Sequence, residues 1–365
     1  MHLRPSVRVR ALLAFALAIA GTMGVAAPSA GAACQSWGAQ PPPVGTGSYL
    51  TDVAVVSACR AYAVGEWYDV GPSHILIERW NGTAWSSMPV PDLGGDPSSL
   101  QGVVALAAND VWAVGTRFVP GDRPLLLHWN GSTWRTVTTP SVGRAGFDGI
   151  HAIAADDIWV VGTKYTVTGK DPLTEHWNGT RWKVVASPDL GTDDGVLRGV
   201  GASGPDDAWA VGYRSDGVDT TALAIRWNGT AWKVRATPAT GAEAAYLEDV
   251  AAISRTRAWA VGYSVDGTTA STLLRWNGTA WKAVAHPTVG DGGDELNGVE
   301  ATSATNVWAV GRACYQDDTC DPLMMRLSGQ GWQVQPTADG LDTTFLYGVS
   351  AASPTEAWAV GLQER

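Results

Sequence analysis

The chain has 365 residues with a formal net charge of −10, and 16% of its residues are charged. One hydrophobic core stops growing at roughly 250–300 residues, so a chain of this length folds as several domains or as an array of small cores. The acidic balance makes the chain a poor candidate for binding nucleic acid or anionic lipid, which require a basic surface. With 43 Gly, 20 Pro and 19 Trp, the composition favours strands and turns over helices.

The first 32 residues have the features of an export signal. A basic start is followed by an apolar run over residues 11–20, too short to span a bilayer, and by a small-residue cleavage site at residues 30–32. Removing this segment takes away three arginines and leaves 22 basic against 35 acidic residues, a net charge of −13. No second apolar stretch reaches membrane-spanning length. The mature chain is therefore expected outside the cell without a transmembrane segment, the minor alternative being a lipid anchor on Cys34.

Four cysteines in an exported chain predict two disulfides. Cys314 and Cys320 lie in one short loop and pair most simply with each other, which leaves Cys34 to pair with Cys59. No histidine lies near Cys314 or Cys320 in the sequence, which argues against a metal site there.

A motif of the form Trp-Ala-Val-Gly recurs seven times at intervals of 47 to 50 residues. Repeats of this length indicate an array of supersecondary units, and helical periodicity is absent throughout. We therefore predict an all-β fold, a seven-bladed β-propeller with four-stranded antiparallel blades. The first residues of the seven motifs are Tyr62, Trp112, Trp159, Trp209, Trp259, Trp308 and Trp358.

The fourth repeat shows how one blade is built. Strand a is predicted at residues 197–202 and strand b at 208–212, on either side of a turn rich in Pro and Asp. After a variable loop, strand c covers 222–227 and strand d covers 232–234. Short strands separated by turn residues in this way are typical of a propeller blade.

The dipeptide Asn228-Gly229 predicts a two-residue hairpin turn between strands c and d. This register places Trp227 opposite Thr230. Ile225 then lies opposite Trp232, so the two tryptophans are diagonal neighbours on one face of the sheet. The tryptophan of strand b is expected to add a third ring to the same sheet. Such an apolar sheet is expected to pack against the sheets of the neighbouring blades. Packing therefore accounts for the tryptophans better than ligand binding does.

The sequence contains seven strand-b motifs but six complete c–d hairpins. Residues 34–45 resemble the missing outer strand and are predicted to complete the last blade, as its strand d or its strand c. Both termini would then close the ring, and a Cys34–Cys59 bond would fasten the closure. The predicted division is a signal peptide at 1–32 and a propeller at 33–365, with repeats near 46–91, 99–140, 146–188, 196–238, 246–287, 295–336, and 345–365 completed by 34–45.

The strand-b motif followed by residues 226–232 resembles kelch-like repeats of the galactose-oxidase central-domain type. It is also similar to degenerate Asp-box (BNR) repeats, in which Gly229 and Trp232 match and Trp227 stands where the aspartate is expected. Over residues 34–365, both resemblances imply a propeller. Together with the export signal, they predict a secreted bacterial propeller. Neither implies a catalytic residue at any position of this chain.

No catalytic constellation stands out, and we expect neither a cofactor nor a metal site. The histidines lack metal-ligand spacing, and phosphate-binding loops and serine-nucleophile elbows are absent from the sequence. His128 and His176 occupy a repeat position that is Arg226 in the fourth repeat, and they are expected at the surface. The polar residue that precedes strand b is interpreted as a turn residue. Examples are Asp110, Asp157, Asp207 and Asn306.

Ligand-binding residues in a symmetric scaffold are expected where the repeats differ. One position in strand a varies, and because strand a is innermost in a propeller, its residues should ring one mouth of the central channel. They are Thr51, Gln101, Asp148, Arg198, Glu248, Asn297 and Tyr347. Three residues further along, His151 and Glu300 stand out in a second variable set. The loops on the same face carry the rim aromatics Trp67, Tyr213, Tyr246 and Tyr263.

Aromatic and acidic groups around a concave mouth suit sugars or cations, the alternative being a merely solvated channel. The leading hypothesis is an exported, non-enzymatic and monomeric module that binds a glycan, a peptide or a surface polymer, with a carbohydrate or an extracellular protein as partner. One alternative is a structural protein of the cell envelope. The other is a hydrolase or lyase, which requires four side chains to converge on one substrate position. These are Asp148, His151, Arg198 and Glu248.

Overall fold

The computed structural model describes residues 47–68, 71–317, 319–337, 344–353 and 356–363. Regular structure in these ranges consists of 26 strands, and no helix there is long and apolar enough to cross a membrane. The export signal, Cys34 and the segment 34–45 lie outside the described residues. The expectations for them therefore stay predictions.

Strands β1 to β24 form six antiparallel units of four strands, and each unit runs a, b, c, d in chain order. The first three blades are β1 (Ser48–Ser57), β2 (Arg60–Trp67), β3 (His74–Trp80), β4 (Trp85–Ser87); β5 (Ser98–Ala107), β6 (Asp110–Arg117), β7 (Arg123–Trp129), β8 (Trp134–Thr136); and β9 (Ala145–Ala154), β10 (Asp157–Tyr165), β11 (Lys170–Trp177), β12 (Trp182–Val185). The next three are β13 (Asp194–Gly204), β14 (Asp207–Ser215), β15 (Thr220–Trp227), β16 (Trp232–Val234); β17 (Ala244–Ser254), β18 (Arg257–Asp266), β19 (Thr268–Trp276), β20 (Trp281–Ala283); and β21 (Gly293–Ser303), β22 (Asn306–Cys314), β23 (Cys320–Ser328), β24 (Gly331–Val334).

A seventh unit consists of β25 (Thr344–Ser353) and β26 (Glu356–Gln363), which pair antiparallel as strands a and b. Its Leu346 packs in one hydrophobic cluster with Trp308 of blade 6. Its Trp358 packs in another cluster with Trp80 of blade 1. The described residues thus form six complete blades and two strands of a seventh, which lies between the first blade and the sixth.

The hydrophobic core of the propeller lies between blades. Trp209 of blade 4 is fully buried, and its ring centroid lies 4.8 Å from both Trp276 and Trp281 of blade 5. The same arrangement places Trp159 of blade 3 against the two hairpin tryptophans of blade 4. The strand-b tryptophan thus adds a third ring to the same sheet, as expected, and its ring packs on the next blade whereas the two hairpin tryptophans pack on the preceding one. Each such ring removes roughly 150–250 Å² from water and joins two neighbouring sheets.

The hairpin register also differs from the prediction. Trp227 lies directly opposite Trp232, so four residues, and not two, connect strands c and d. The Asn228 side-chain oxygen accepts hydrogen bonds from the amides of Thr230 and Ala231 and from the Thr230 hydroxyl, at 2.8–3.0 Å. These bonds stabilise a four-residue loop. The prediction of a two-residue turn from Asn-Gly did not take them into account.

The polar residue that was predicted to precede strand b is the first residue of that strand, and it has a role that the sequence did not reveal. Asp110 accepts a hydrogen bond from His128 at 2.8 Å, and the His128 ring stacks on Trp112 with centroids 4.1 Å apart. In blade 4, Asp207 pairs in the same way with Arg226 at 2.6 Å. The His128 side chain is partly buried but still 30% exposed, which agrees with its expected position at the surface. His176 is likewise partly buried and pairs with Asp157 at 2.7 Å.

The Cys314–Cys320 disulfide is confirmed, with its sulfur atoms 2.01 Å apart. It joins the end of β22 to the start of β23, where the two cysteines face each other in the strand register. The Cys34–Cys59 bond stays a prediction because Cys34 lies outside the described residues.

Candidate functional site

Every strand a contains a β-bulge at the residue that varies between repeats. In blade 4, Leu197 pairs with Gly212 and Gly199 pairs with Val211, so Arg198 is the extra residue of the strand. A bulge bends the strand and re-aims the side chain of the extra residue. The same shift occurs in the other six units, at Thr51, Gln101, Asp148, Glu248, Asn297 and Tyr347.

The glycine of the Trp-Ala-Val-Gly motif permits this bulge. A Cβ on Gly212 would lie 2.0 Å from the Val196 carbonyl oxygen, a distance that no side chain tolerates. The repeat motif therefore encodes close backbone contact between strands a and b, in addition to the tryptophan core. The fixed motif in strand b and the variable residue in strand a are two parts of one local geometry.

All seven bulged residues line a single cavity of about 490 Å³. They lie in the first half of strand a, and the cavity wall also includes Tyr263 and Leu362 from the end of strand b. The cavity therefore opens towards the b–c and d–a loops, as the sequence predicted for the channel mouth. His151 and Glu300 are not among the lining residues, because they lie three positions further along strand a.

One half of the cavity, over blades 3 to 5, is charged. Arg198 donates a hydrogen bond to Asp148 at 3.2 Å, and its Nε lies 3.9 Å from the Glu248 carboxylate. The Arg198 side chain is 42% exposed, so it faces the cavity while it pairs with both acids. Glu295, also in the cavity wall, pairs with Arg312 at 2.6 Å. We call Asp148, Arg198 and Glu248 the charged cluster.

The acids of the charged cluster titrate above their ordinary range. Burial raises the pKa of Glu248 to about 7, with the Arg198 charge opposing the shift. Burial also raises the pKa of Asp148, again against the effect of Arg198. Near neutral pH, Glu248 therefore exchanges readily between the acceptor-only carboxylate and the acid, which also donates.

Three tyrosines stand beside the charged cluster. The Tyr246 ring lies between Tyr213, at 5.1 Å, and Tyr263, at 5.0 Å. The Arg198 guanidinium lies 6.0 Å from the Tyr213 ring centroid. Burial and nearby carboxylates raise the pKa of Tyr263 to about 12, so its hydroxyl stays protonated and able to donate. Trp67, the fourth predicted rim aromatic, lies instead against His74, with ring centroids 4.7 Å apart.

The variable residues in the other half of the cavity are neutral, and two of them bind a neighbouring blade. The Thr51 hydroxyl lies 2.8 Å from the Leu100 carbonyl oxygen of blade 2. Asn297 donates to the Leu346 carbonyl of blade 7 at 2.9 Å. Gln101 donates within its own strand to Ser99 at 3.2 Å. These three side chains already use donors in the fold. Arg198 also donates to Asp148, but it is 42% exposed and its guanidinium carries further N–H groups, so the charged half is the better candidate for ligand contacts.

Two partly buried aspartates in the cavity wall were not predicted. Asp52 accepts hydrogen bonds from its neighbour Val53 and from Val103 of blade 2, both at 2.8 Å. Asp249 does the same with Val250 and with Val299 of blade 6, at 2.7 and 2.9 Å. Burial raises the pKa of Asp52 to about 8 and that of Asp249 to about 6. These carboxyls join adjacent blades below the mouth.

The sequence contains signals that could have identified the cavity-wall residues that were not predicted. Asp52 and Asp249 follow the bulged position, where the other five units have glycine. Tyr49 and Glu295 stand two positions before the bulged residue, hence on the same face of strand a, and both line the cavity. Among the described residues, no group of three or more His, Cys, Asp or Glu side chains is placed to hold a metal ion.

No protein-family model and no curated protein sequence matches the chain. Solved structures do resemble it. YCF48 bound to a D1 peptide is 15% identical over 88% of this chain and 94% of that one, with a TM-score of 0.57. A PL25 ulvan lyase is 11% identical over 87% of this chain and 94% of that one, also at 0.57. The fungal lectin of Aleuria aurantia, a six-bladed propeller, is 14% identical over 80% of this chain and 95% of that one, at 0.48. At these identities the likeness shows the fold alone, a β-propeller.

Proposed function

We propose that the protein is an exported binding module that takes a glycan at the charged half of its channel mouth. The observation that carries this proposal is the Arg198 guanidinium, held between Asp148 and Glu248 and still 42% exposed to the cavity. A sugar offers hydroxyl groups that donate and accept, and the charged cluster offers carboxylate acceptors beside guanidinium donors. The adjacent Tyr263 supplies an aromatic surface for the apolar face of a sugar ring.

The choice of a glycan over a peptide rests on these side chains. YCF48, which was solved with a peptide, and the PL25 lyase, which was solved with a saccharide, share only the fold with this chain. A cavity of about 490 Å³ accommodates one or two sugar units, and its open side allows a longer polymer to continue over the loops.

The location of the protein, its oligomeric state and the closure of the ring are part of the same proposal. The protein is secreted after removal of residues 1–32, acts as a monomer, and closes seven kelch-like or Asp-box-like blades with residues 34–45. The Cys314–Cys320 disulfide supports an oxidising compartment, where such bonds persist.

Binding to arrays of bacterial, plant and fungal glycans, with a peptide array in parallel, tests the proposal. The joint Arg198→Ala and Glu248→Ala variant is expected to lose glycan binding by at least tenfold. The matched control is the joint Asp206→Ala and Arg255→Ala variant, which removes another inter-blade ion pair, exposed in the a–b turns on the opposite face. Equal affinity of the two variants would contradict a site at the charged cluster. Peptides that bind the native protein but not the joint Arg198→Ala and Glu248→Ala variant would show that the site takes a peptide and not a glycan.

A hydrolase or lyase at the same mouth is the second candidate. The convergence of Asp148, Arg198 and Glu248 favours it, and a carboxyl with a pKa raised to about 7 suits general acid–base catalysis. His151 does not line the cavity and has no part in this version. Incubation with each glycan that binds, followed by an assay for new reducing ends or unsaturated uronates, distinguishes the candidates. Turnover that Glu248→Gln abolishes supports the enzyme, and binding without turnover supports the module.

A further inference from the structure

A serine and a histidine meet on the flank of blade 5, away from the channel mouth. Ser271 lies in β19, and its Oγ is 2.8 Å from Nε2 of His286, which follows β20. His286 Nδ1 is 3.0 Å from the Val284 carbonyl oxygen. A carbonyl only accepts, so Nδ1 carries the proton. In the neutral ring Nε2 then holds a lone pair and accepts the Ser271 hydroxyl.

This tautomer is the one that a general base for a serine nucleophile requires. In a nucleophile–base pair, the base accepts the hydroxyl proton with one nitrogen, and a third group fixes the ring through the other nitrogen. The Val284 carbonyl is that third group here. The distance of 2.8 Å between oxygen and nitrogen is within the range of such pairs.

Ser271 and His286 both differ from the residues at the same repeat positions in blade 4. Thr272 faces Gly262 as Leu223 faces Gly212, so Ser271 aligns with Ala222 of blade 4. In the other described blades this position is apolar. By the same register, it is Ile75, Pro124, Pro172 and Pro322.

His286 aligns with Thr237, since each lies five residues after the tryptophan that begins strand d of its blade. The Thr237 hydroxyl donates to the Ala222 carbonyl at 3.1 Å. A short hydroxyl side chain therefore suffices to fasten strand d to strand c at this point. The fold does not require a histidine there, nor a serine opposite it.

The corresponding positions on blades 4 and 3 line crevices at the protein surface. Ala222 and Thr237 line a crevice of about 440 Å³ on blade 4. Pro172 and Ser187 line a crevice of about 300 Å³ on blade 3. Ser271 and His286 are both partly exposed, so solvent reaches the pair.

We propose that Ser271 is a nucleophile activated by His286, forming a second reactive site on blade 5 that takes esters. The Ser271 proton passes to His286 Nε2 as Oγ forms a bond to the ester carbonyl carbon. The bond from that carbon to the alcohol oxygen then breaks, and His286 returns the proton to the departing alcohol. Water, deprotonated by His286, hydrolyses the acyl-serine and restores the Ser271 hydroxyl. The site is separate from the proposed glycan site and goes beyond binding.

Labelling of the full chain with a fluorophosphonate, and with p-nitrophenyl acetate, tests this proposal by mass spectrometric mapping. Ser271 is expected to react faster than the exposed Ser86 and Ser132 of the same molecule. In His286→Thr the rate of Ser271 labelling is expected to fall by roughly 100-fold, the contribution of a positioned general base. Ser271→Ala is expected to remove the label from that peptide.

Both variants install the residues that blade 4 already has at these positions, which favours folding. The joint Arg198→Ala and Glu248→Ala variant is expected to label normally, so loss of glycan binding and loss of Ser271 reactivity are distinguishable. Ser271 labelling no faster than that of Ser86 and Ser132 would overturn the proposal, and this comparison uses the native protein alone. An unchanged Ser271 rate in folded His286→Thr would overturn it equally.

Discussion

Arg198 donates a hydrogen bond to Asp148 at 3.2 Å, although the two residues are 50 positions apart and belong to adjacent blades. The contact to Glu248 extends this link from blade 4 to blade 5. The charged cluster therefore spans three blades at the point where each strand a bulges into the channel. Its residues face the cavity and also join the blades, so their effects on binding and on stability need to be separated.

Arg198→Ala is expected to lower the free energy of unfolding by about 1 kcal/mol or less. The side chain is 42% exposed, and exposed ion pairs contribute roughly 0.2–1 kcal/mol. Urea unfolding followed by tryptophan fluorescence measures this, with Arg255→Ala as an exposed control. A loss above about 3 kcal/mol would show that Arg198 acts mainly as a structural link, and loss of glycan binding in this variant would then not identify a site.

Gly199→Ala is expected to destabilise the protein by roughly 1–3 kcal/mol, the cost of overpacking a fixed contact. A Cβ on Gly199 would lie 2.7 Å from the Asp249 Cα and 2.8 Å from the Glu248 carbonyl oxygen of the next blade. Because both contacts are backbone atoms, strand a would have to move. Gly204 lies in the same strand with nothing within 4 Å of its added Cβ, so Gly204→Ala is expected to change stability by less than about 0.5 kcal/mol. Equal melting temperatures for the two variants would contradict the close contact.

The repeat made much of this fold predictable. A fixed spacing and a fixed strand-b motif predicted the blades, and variation at one strand-a position predicted seven residues that line one cavity. This succeeded because each repeat is one structural unit, so differences between aligned repeats mark positions that the common packing does not determine.

Contacts between blades were not predictable in the same way. Trp209 packs on Trp276 and Trp281 of the next blade, and Asp52 reaches the Val103 amide of its neighbour. Pairing rules within one hairpin describe neither contact, because both depend on how two sheets stack. The Ser271–His286 contact was missed for a related reason, since its residues are separated by a hairpin whose loop length was mispredicted.

The Cys34–Cys59 bond is expected to appear in a non-reducing peptide map of the mature protein, beside Cys314–Cys320. Cys59 lies in the a–b turn of blade 1, and the bond would hold residues near the start of the mature chain against that blade. A bond closing a loop of this size stabilises by roughly 3 kcal/mol in the chain-entropy model. Cys59→Ser is therefore expected to lower the melting temperature measurably. Free Cys34 in the native protein would contradict the pairing.

Glu175 is a buried carboxyl between blades 2 and 3. Its side chain is fully buried, and neither carboxylate oxygen has a hydrogen-bond partner among the described residues. Burial raises its pKa to about 8. By strand register the same position is a second buried glutamate, Glu78, in blade 1, and an apolar residue in the other four complete blades: Leu127, Ile225, Leu274 and Met325. An apolar residue is thus the usual occupant, and Glu175 stays in place by keeping its proton.

Glu175 is expected to make the protein less stable at alkaline pH. The folded state keeps this proton up to about pH 8, whereas the unfolded chain releases it near 4.5. The contribution to stability is therefore complete below about pH 4.5 and is lost as pH rises through about 8. Glu175→Leu should stabilise the protein more at pH 8.5 than at pH 5, by on the order of 2–4 kcal/mol, at 1.36 kcal/mol per pKa unit. Urea unfolding at both pH values measures the difference, with the exposed Glu243→Gln as control. An equal gain at the two pH values would show that the Glu175 carboxyl is not protonated in the folded state near neutral pH.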